Sequence, residues 1–341
     1  MKDCCEKKKR WFQNKLLIIL LFDLLLYSGG YFLPLLKPFQ EPFRMYLRMI
    51  AWALAIGFLF GGLIDHFVPS EYISKILARP KKRTIFYASG LGLLMSACSH
   101  GILAIGMELH KKGASGPAVI SFLLGSPWAN LPVTILLLSL FKMKGLLIIA
   151  SALFVSLTTG LFFLLLDRWG WIEKNKNASP IDESFSITSD VKKRWQGTKW
   201  SWQRLRSDTR GVFDGAIRLA DMILWWILLG ITIASLISSY VPSHFFHQYM
   251  GPTFVGLLIT LAAATVIEVC SEGSAPLAFE IYRQTGSIGN TFVFLMGGFV
   301  TDYTEIGLLW TNLGRRTALW MMALTIPQVL FLGWIYNRLF I

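Results

Sequence analysis

The sequence predicts an all-α polytopic membrane protein made of two repeated helical units, inverted relative to one another, with broken or re-entrant helices. Three observations carry this. Of the 341 residues, 54% are hydrophobic and only 16% charged, where soluble domains carry roughly a quarter charged. About nine runs are long and continuously apolar, near residues 16–36, 46–68, 84–110, 114–141, 145–166, 215–240, 252–283, 287–311 and 317–337. A spanning helix needs ~20 such residues, and the strands of a barrel would alternate instead. Finally, the second half of the chain repeats the first.

Residues 1–45 hold a basic tail, with Cys4 and Cys5, and a first span. That span carries Asp23 and has no small-x-small site before Leu33-Pro34, so it reads as a retained span and not as a cleaved leader. Residues 46–166 form the first transmembrane repeat and 215–341 the second, separated by a hydrophilic linker at 167–214. A shift of 172 pairs Cys98-Ser99-His100-Gly101 with Cys270-Ser271-Glu272-Gly273, Glu108 with Glu280, Lys111 with Arg283 and Asn130 with Asp302. Upstream a shift of 173 pairs Trp52 with Trp225, Gly57 with Gly230, and Val68-Pro69-Ser70 with Val241-Pro242-Ser243. Apolar stretches match by chance; Cys, Glu, Pro and Trp in one register do not.

Each unit carries two interruptions rich in small and polar residues. One is Ser96 to Gly101, matched by Glu268 to Ser274; the other is Ser126 to Pro132, matched by Gly298 to Glu305. Unwound backbone in hydrocarbon costs several kcal/mol per unpaired group, so it persists where protein buries it or it lines a cavity. Paired breaks in two halves point to a transporter's central site.

The net charge of +13 sits in the segments between runs, as the positive-inside rule requires, and no nucleic-acid-binding module accompanies it. The linker holds ten Lys or Arg against seven Asp or Glu. If the second broken run of each unit dips in and returns, each unit crosses three times and the halves are inverted. The N-terminus, the 75–83 loop, the linker and Arg315–Arg316 then share the cytoplasmic side. Trp195, Trp200 and Trp202 among basic residues suit either an amphipathic surface helix or a solvated loop.

Ionisable groups inside spans are costly and mark function. The candidate binding and translocation residues are Cys98, Ser99, His100, Gly101, Asn130, Glu268, Cys270, Ser271, Glu272, Gly273, Asp302 and Glu305. Within this set Cys98, His100, Cys270 and Glu272 offer thiol, imidazole and carboxylate ligands, which suit zinc, copper(I) or trivalent arsenic. Each has a plain counterpart. A buried thiol packs as a small hydrophobe, His100 can serve a structural hydrogen bond, and Glu108 and Glu280 can pair with Lys111 and Arg283. No phosphate-cradling Gly-rich loop and no nucleophile triad occurs, so neither ATP hydrolysis nor enzymatic catalysis is expected.

The stretch Ala97-Cys98-Ser99-His100-Gly101, continuing through Lys111-Lys112-Gly113-Ala114-Ser115 to Ser126-Pro127-Trp128-Ala129-Asn130, resembles the predicted permeases related to the ArsP organoarsenical exporters. So does its repeat from Cys270-Ser271-Glu272-Gly273 to Thr301-Asp302, and the likeness covers nearly the whole chain after the first span. The resemblance implies efflux of a soft metal ion or a trivalent organoarsenical, with Cys98 and Cys270 as the motif cysteines. With no other membrane cysteine, a three-thiolate site is excluded. A prokaryotic inner-membrane location follows, with the lipid bilayer and a small cationic, metal or metalloid cargo as partners, no cofactor and no nucleic acid. Assembly into a homo-oligomer stays open. The alternative is a membrane scaffold, or a subunit of a multi-component transport complex, whose helix breaks are structural.

Overall fold

The computed structural model describes residues 15–67, 77, 81–91, 99–111, 113–175, 202–267 and 271–340, and the described residues are helical or in short turns. In order come α1 (Lys15–Phe32), α2 (Lys37–Phe67), α3 (Lys82–Leu91), α4 (Ser99–Lys111), α5 (Gly116–Ala129), α6 (Leu131–Phe141) and α7 (Met143–Trp169). After the linker follow α8 (Trp202–Tyr240), α9 (Ser243–Tyr249), α10 (Phe254–Ile267), α11 (Ser271–Thr285), α12 (Ile288–Thr301), α13 (Tyr303–Asn312) and α14 (Arg315–Leu339). Four segments are by themselves long and apolar enough to span, and bent pairs supply the rest, so the chain is a multi-pass membrane protein.

The repeat is visible in the helix boundaries. The starts of α3, α4, α5, α6 and α7 are each displaced by 172 residues from those of α10, α11, α12, α13 and α14, and the ends of α2 and α8 by 173. Equivalent helices meet each other head to tail. On α2 and α8, Ser239 donates to the carbonyl of Pro38 (3.0 Å), while His66 lies 3.2 Å from Asp208 at the opposite ends. On α7 and α14, Gln328 donates to Thr159 (3.0 Å), and Ser151 bonds Tyr336 about two turns further along. Antiparallel pairing of equivalent spans requires a two-fold axis perpendicular to them. The two units are therefore inverted.

Within each unit the expected crossing pattern needs one correction. The second broken run does not turn back: α5 and α6 are bent by only 44°, and α12 and α13 by 41°, so each pair continues onward as one broken span. The first broken run returns instead. Ser121 on α5 donates to the Ile85 carbonyl of α3 (3.5 Å) while Gly125, a turn further on, lies against the Ser89 carbonyl, so α3 and α5 run parallel. Because α5 begins just beyond the end of α4, α4 must come back to the end where α3 entered. In the second unit Asn290 donates to Thr260 (2.9 Å) and Thr265 meets Thr301 (2.7 Å), which makes α10 and α12 parallel and α10–α11 the matching hairpin. Three crossings per unit survive, with the hairpin assigned to the other run.

This arrangement gathers Lys15, Lys82, Arg83, Lys111, Arg315, Arg316 and the start of α8 at one end of the bundle, and leaves Lys37, Arg44, Lys142, Lys144, Arg283 and Arg338 at the other. Helices α5 and α12 lie at the centre. Every residue from Ile288 to Val300 is buried, as expected of a helix apolar on all sides. Polar cross-links tie these helices in place. Ser89, Ser121 and Ser156 share hydroxyl bonds of 2.8–3.3 Å in the first unit. In the second, Asn290 donates to the Met250 carbonyl (3.0 Å) and accepts from Asn337 (2.7 Å). Interhelical bonds of this kind are worth ~1 kcal/mol in a bilayer.

A short strap after α7 crosses to the second unit. Glu173 accepts from the backbone N–H groups of Arg316 (2.9 Å) and Thr317 (3.0 Å) and from the Thr317 hydroxyl (2.9 Å), capping the start of α14 from a distance. Partial burial works to raise its pKa, but the three donors outweigh it and hold the carboxyl below the ordinary 4.5. The linkage has a definite sign: stabilisation is full above 4.5 and is lost as pH falls through the lower folded value. Replacing Glu173 with Gln should lower the melting temperature in detergent at neutral pH, and the difference from wild type should shrink on acidification below that window. A pH-independent difference would contradict a charged cap.

Candidate functional site

The half-helices set the depth of the site. At 1.5 Å rise per residue, the 13 described residues of α4 and the 15 of α11 cover ~20 Å and ~22 Å of a ~30 Å hydrocarbon core, so the first described turns of both lie inside the membrane. The tips themselves, with Cys98, Glu268 and Cys270, lie outside the described residues. Ser99 and Ser271 open α4 and α11, and His100 and Glu272 follow in the first turns; of these four only the Glu272 side chain is described, and it is buried. Gly101 is partly buried on α4.

The breaks in the crossing helices also lie inside the membrane. Pro127 and Pro132 bracket the first, and each lacks the N–H needed to continue a helix. Between them Asn130 takes an extended conformation (φ −64°, ψ 149°), and its Oδ1 accepts from the N–H of Val133 at 2.8 Å, a helix cap made inside the membrane. At the matching position Asp302 is also extended (φ −59°, ψ 120°) just ahead of α13, its carbonyl receiving the Ile306 N–H at 2.9 Å. Glu305 follows in the first turn of α13. Asn130, Glu272, Asp302 and Glu305 are all buried.

Packing locates these breaks at the interface of the units. Gly57 of α2 lies so close to Pro132 that an added Cβ would be 2.9 Å from its Cα, and one on Gly230 of α8 would be 2.0 Å from the carbonyl oxygen of Gly273. These glycines are repeat partners, and each lets a long span touch a break. Across the interface, α6 of the first unit contacts α11 of the second, and α13 of the second contacts α4 of the first. Asn130 and Glu272 thus belong to one such pair of half-helices, and Gly101 with Asp302 and Glu305 to the other.

Helices α6 and α13 start inside the membrane with first-turn N–H groups that have no intrahelical partner, and the described first turns of α4 and α11 lie inside it too. Glu272, Asp302 and Glu305 stand in those first turns, where a carboxylate is favoured. The Asp302-x-x-Glu305 spacing is that of a cap followed by an acid three residues on, a signal legible in the sequence but passed over there. Among the described residues no three His, Cys, Asp or Glu side chains gather closely enough to hold a metal ion.

Glu280 has the plain role weighed for it. It is buried and accepts from Arg283 Nε (2.9 Å), Arg283 Nη2 (2.8 Å) and Gln284 (2.6 Å), with the Tyr46 hydroxyl beside it. Its repeat partner Glu108 is exposed. Tyr46 and Ser238, which reach Glu280 and Arg283 from α2 and α8, were invisible to the sequence because tertiary packing alone brings them there. Asp23 was also passed over: it is buried in α1 and receives the Thr232 hydroxyl at 2.5 Å. A lone carboxyl in an apolar 18-residue helix was the available signal.

Comparison with known proteins agrees with this architecture. The family described as a predicted permease, ArsP_1, matches residues 36–200 and 211–341, one segment for each unit. The protein named "Putative permease Rv2963" of Mycobacterium tuberculosis is 24% identical over 238 residues, which make up 65% of this chain and 58% of that protein. "UPF0718 protein YcgR" of Bacillus subtilis is 23% identical over 266 residues, 77% of this chain and 84% of that one. No solved structure matches. With the family pattern running through both inverted units, the chain belongs to the ArsP_1 family of predicted permeases.

Proposed function

We propose that this permease exports a soft metal ion or a trivalent organoarsenical through the centre where its four half-helices begin. The observation that carries the reading is the pair of broken spans, at Asn130 and Asp302, packed beside two hairpin runs in an inverted repeat. Such breaks hold substrate in transporters of this general design. Cys98 and Cys270 directly precede α4 and α11 in the chain, which supplies a thiol to each half of the site. A thiolate is the best protein ligand for a soft cation or trivalent arsenic. His100 and Glu272 complete a mixed donor set, weak enough to let the cargo leave. The buried acids Glu272, Asp302 and Glu305 favour a cation and can accept exchanged protons.

The test is accumulation in everted membrane vesicles of zinc, copper(I) or monomethyl arsenous acid, each offered alone. Uptake of one of them that depends on this protein is expected; equal uptake in vesicles without it for all three overturns the cargo assignment. The scaffold reading predicts that same negative result together with co-purification of a soluble partner.

We also place the end that carries Arg315 and Arg316 in the cytoplasm of a prokaryotic inner membrane, because the basic linker and N-terminal tail adjoin it. Single cysteines at Ser186 and Ser243 of a cysteine-free variant should differ. The Ser243→Cys variant should react with an impermeant maleimide in whole cells and the Ser186→Cys variant only after lysis. The opposite pattern would reverse the orientation.

A further inference from the structure

The packing around the two-fold axis is not symmetric. Helices α2 and α8, the pair that meets on that axis, lean together against α6 and α11. Symmetry would equally allow α8 to rest on α13 and α2 on α4, yet among the described residues neither of those packings is formed to any comparable extent. The difference shows in single residues. On α6, Ser139 donates to the Met49 carbonyl of α2 (2.5 Å) and Leu136 is 1% exposed. On α13 the repeat partners are open: Thr311 is exposed, bonded within its own helix, and Leu308 is 44% exposed. A Cβ added to Gly307 would meet nothing within 4 Å.

The same holds for the polar contacts. Arg283 of α11 donates to Ser238 of α8 (2.5 Å), and Tyr46 of α2 reaches Glu280. The repeat partners of Arg283 and Ser238 are Lys111 and Asp65, residues able to form an ion pair, and Lys111 is exposed. The close approach of Gly230 to Gly273 has its counterpart in Gly57 and Gly101, although Gly57 now lies on Pro132.

We infer that the chain has a second state in which the α2–α8 pair shifts as a body from α6 and α11 to α4 and α13, so that Lys111 meets Asp65. Each unit then takes the conformation its partner holds now. The glycine approaches and the Arg283–Ser238 position recur in the partner unit, whereas the Tyr46 bond to Glu280 belongs to the present state alone because the repeat partner of Tyr46 is Leu219, so the two packings are alike without being identical. In the present state the latch is at the Lys144 end: Lys144 donates to Tyr282 (2.6 Å), and Phe141 packs on Phe279 with ring centres 5.4 Å apart. In the second state that end parts and the Arg315 end closes, exposing the centre to each side in turn. The inference rests on the permease reading for its purpose, though not for its test.

In a cysteine-free background, Ser238→Cys with Arg283→Cys reports the present state, and Asp65→Cys with Lys111→Cys the second. Both pairs should cross-link in membranes when alone. In the four-cysteine variant, closing one bridge should block the other. Because losing Arg283 leaves Glu280 buried without its cation, Met49→Cys with Ser139→Cys and Met222→Cys with Thr311→Cys repeat the measurement at positions free of charge. Failure of both second-state pairs to cross-link, or both bridges forming in one molecule, overturns the exchange. If vesicles transport cargo while the second-state bridges never form, the exchange falls and the permease reading stands. Exclusive bridges with no cargo moved have the reverse meaning.

Discussion

Changing Cys98 or Cys270 to Ser is expected to reduce cargo transport in everted vesicles at least about tenfold for each, by analogy with the losses seen when metal-site partners are removed. Serine keeps the shape of the side chain but not the soft, readily ionised sulfur. The protein should still fold, since neither change alters backbone propensity or volume much, and an unchanged melting curve in detergent is part of the expected result. Glu108→Gln should matter far less, because Glu108 lies on an exposed face and stands opposite, in the repeat, to a Glu280 already occupied by Arg283. Undiminished transport by the double cysteine variant would remove the thiols from the mechanism. The buried acids Glu272, Asp302 and Glu305 would then be left as the partners of a proton-coupled organic cation.

A second large effect is expected at Gly230. A Cβ there would lie 2.0 Å from the carbonyl oxygen of Gly273, a backbone atom that cannot swing aside. Gly230→Val should therefore push α8 away from α11 and lower stability by about 3 kcal/mol, the upper range for overpacking. The repeat partner gives a graded control: the nearest atom to a Cβ on Gly57 is 2.9 Å away, so Gly57→Ala should cost less than Gly230→Ala. Melting of the purified variants checks the order. Equal melting temperatures for wild type and Gly230→Val would show that the close approach is not a constraint on the fold.

Much of the architecture was legible before any coordinates. The register of 172 that matched Cys98 to Cys270 also displaces five helix starts by that number, because shared small and polar residues fix where a helix can begin. Inversion was readable from the basic segments, and the antiparallel contacts of α2 with α8 bear it out. The hairpin was attributed to the wrong run. Runs 84–110 and 114–141 each hold a polar break between halves of similar length, and basic residues bracket both. A bend of 44° as against a reversal depends on what each half packs against, and the Ile85–Ser121 and Thr265–Thr301 contacts that decide it are tertiary. The acids at the breaks were read as binding and translocation residues, whereas Asn130 shows that such positions also serve to end one helix and start the next. The placement of Cys98, Glu268 and Cys270 falls outside the described residues.

The hairpin arms have a consequence for how the chain is made. The described part of α3 carries Lys82, Arg83, Thr84 and Ser89, and the run it belongs to returns to the end it came from by Lys111, so this arm does not span lipid by itself. Its partners Ser121 and Ser156 belong to α5 and α7, which leave the ribosome later. The arm is therefore expected to gain its hydroxyl partners only after the spans encoded later have entered, so a ribosome-bound chain that stops before α7 should hold its first hairpin less firmly than the finished protein does.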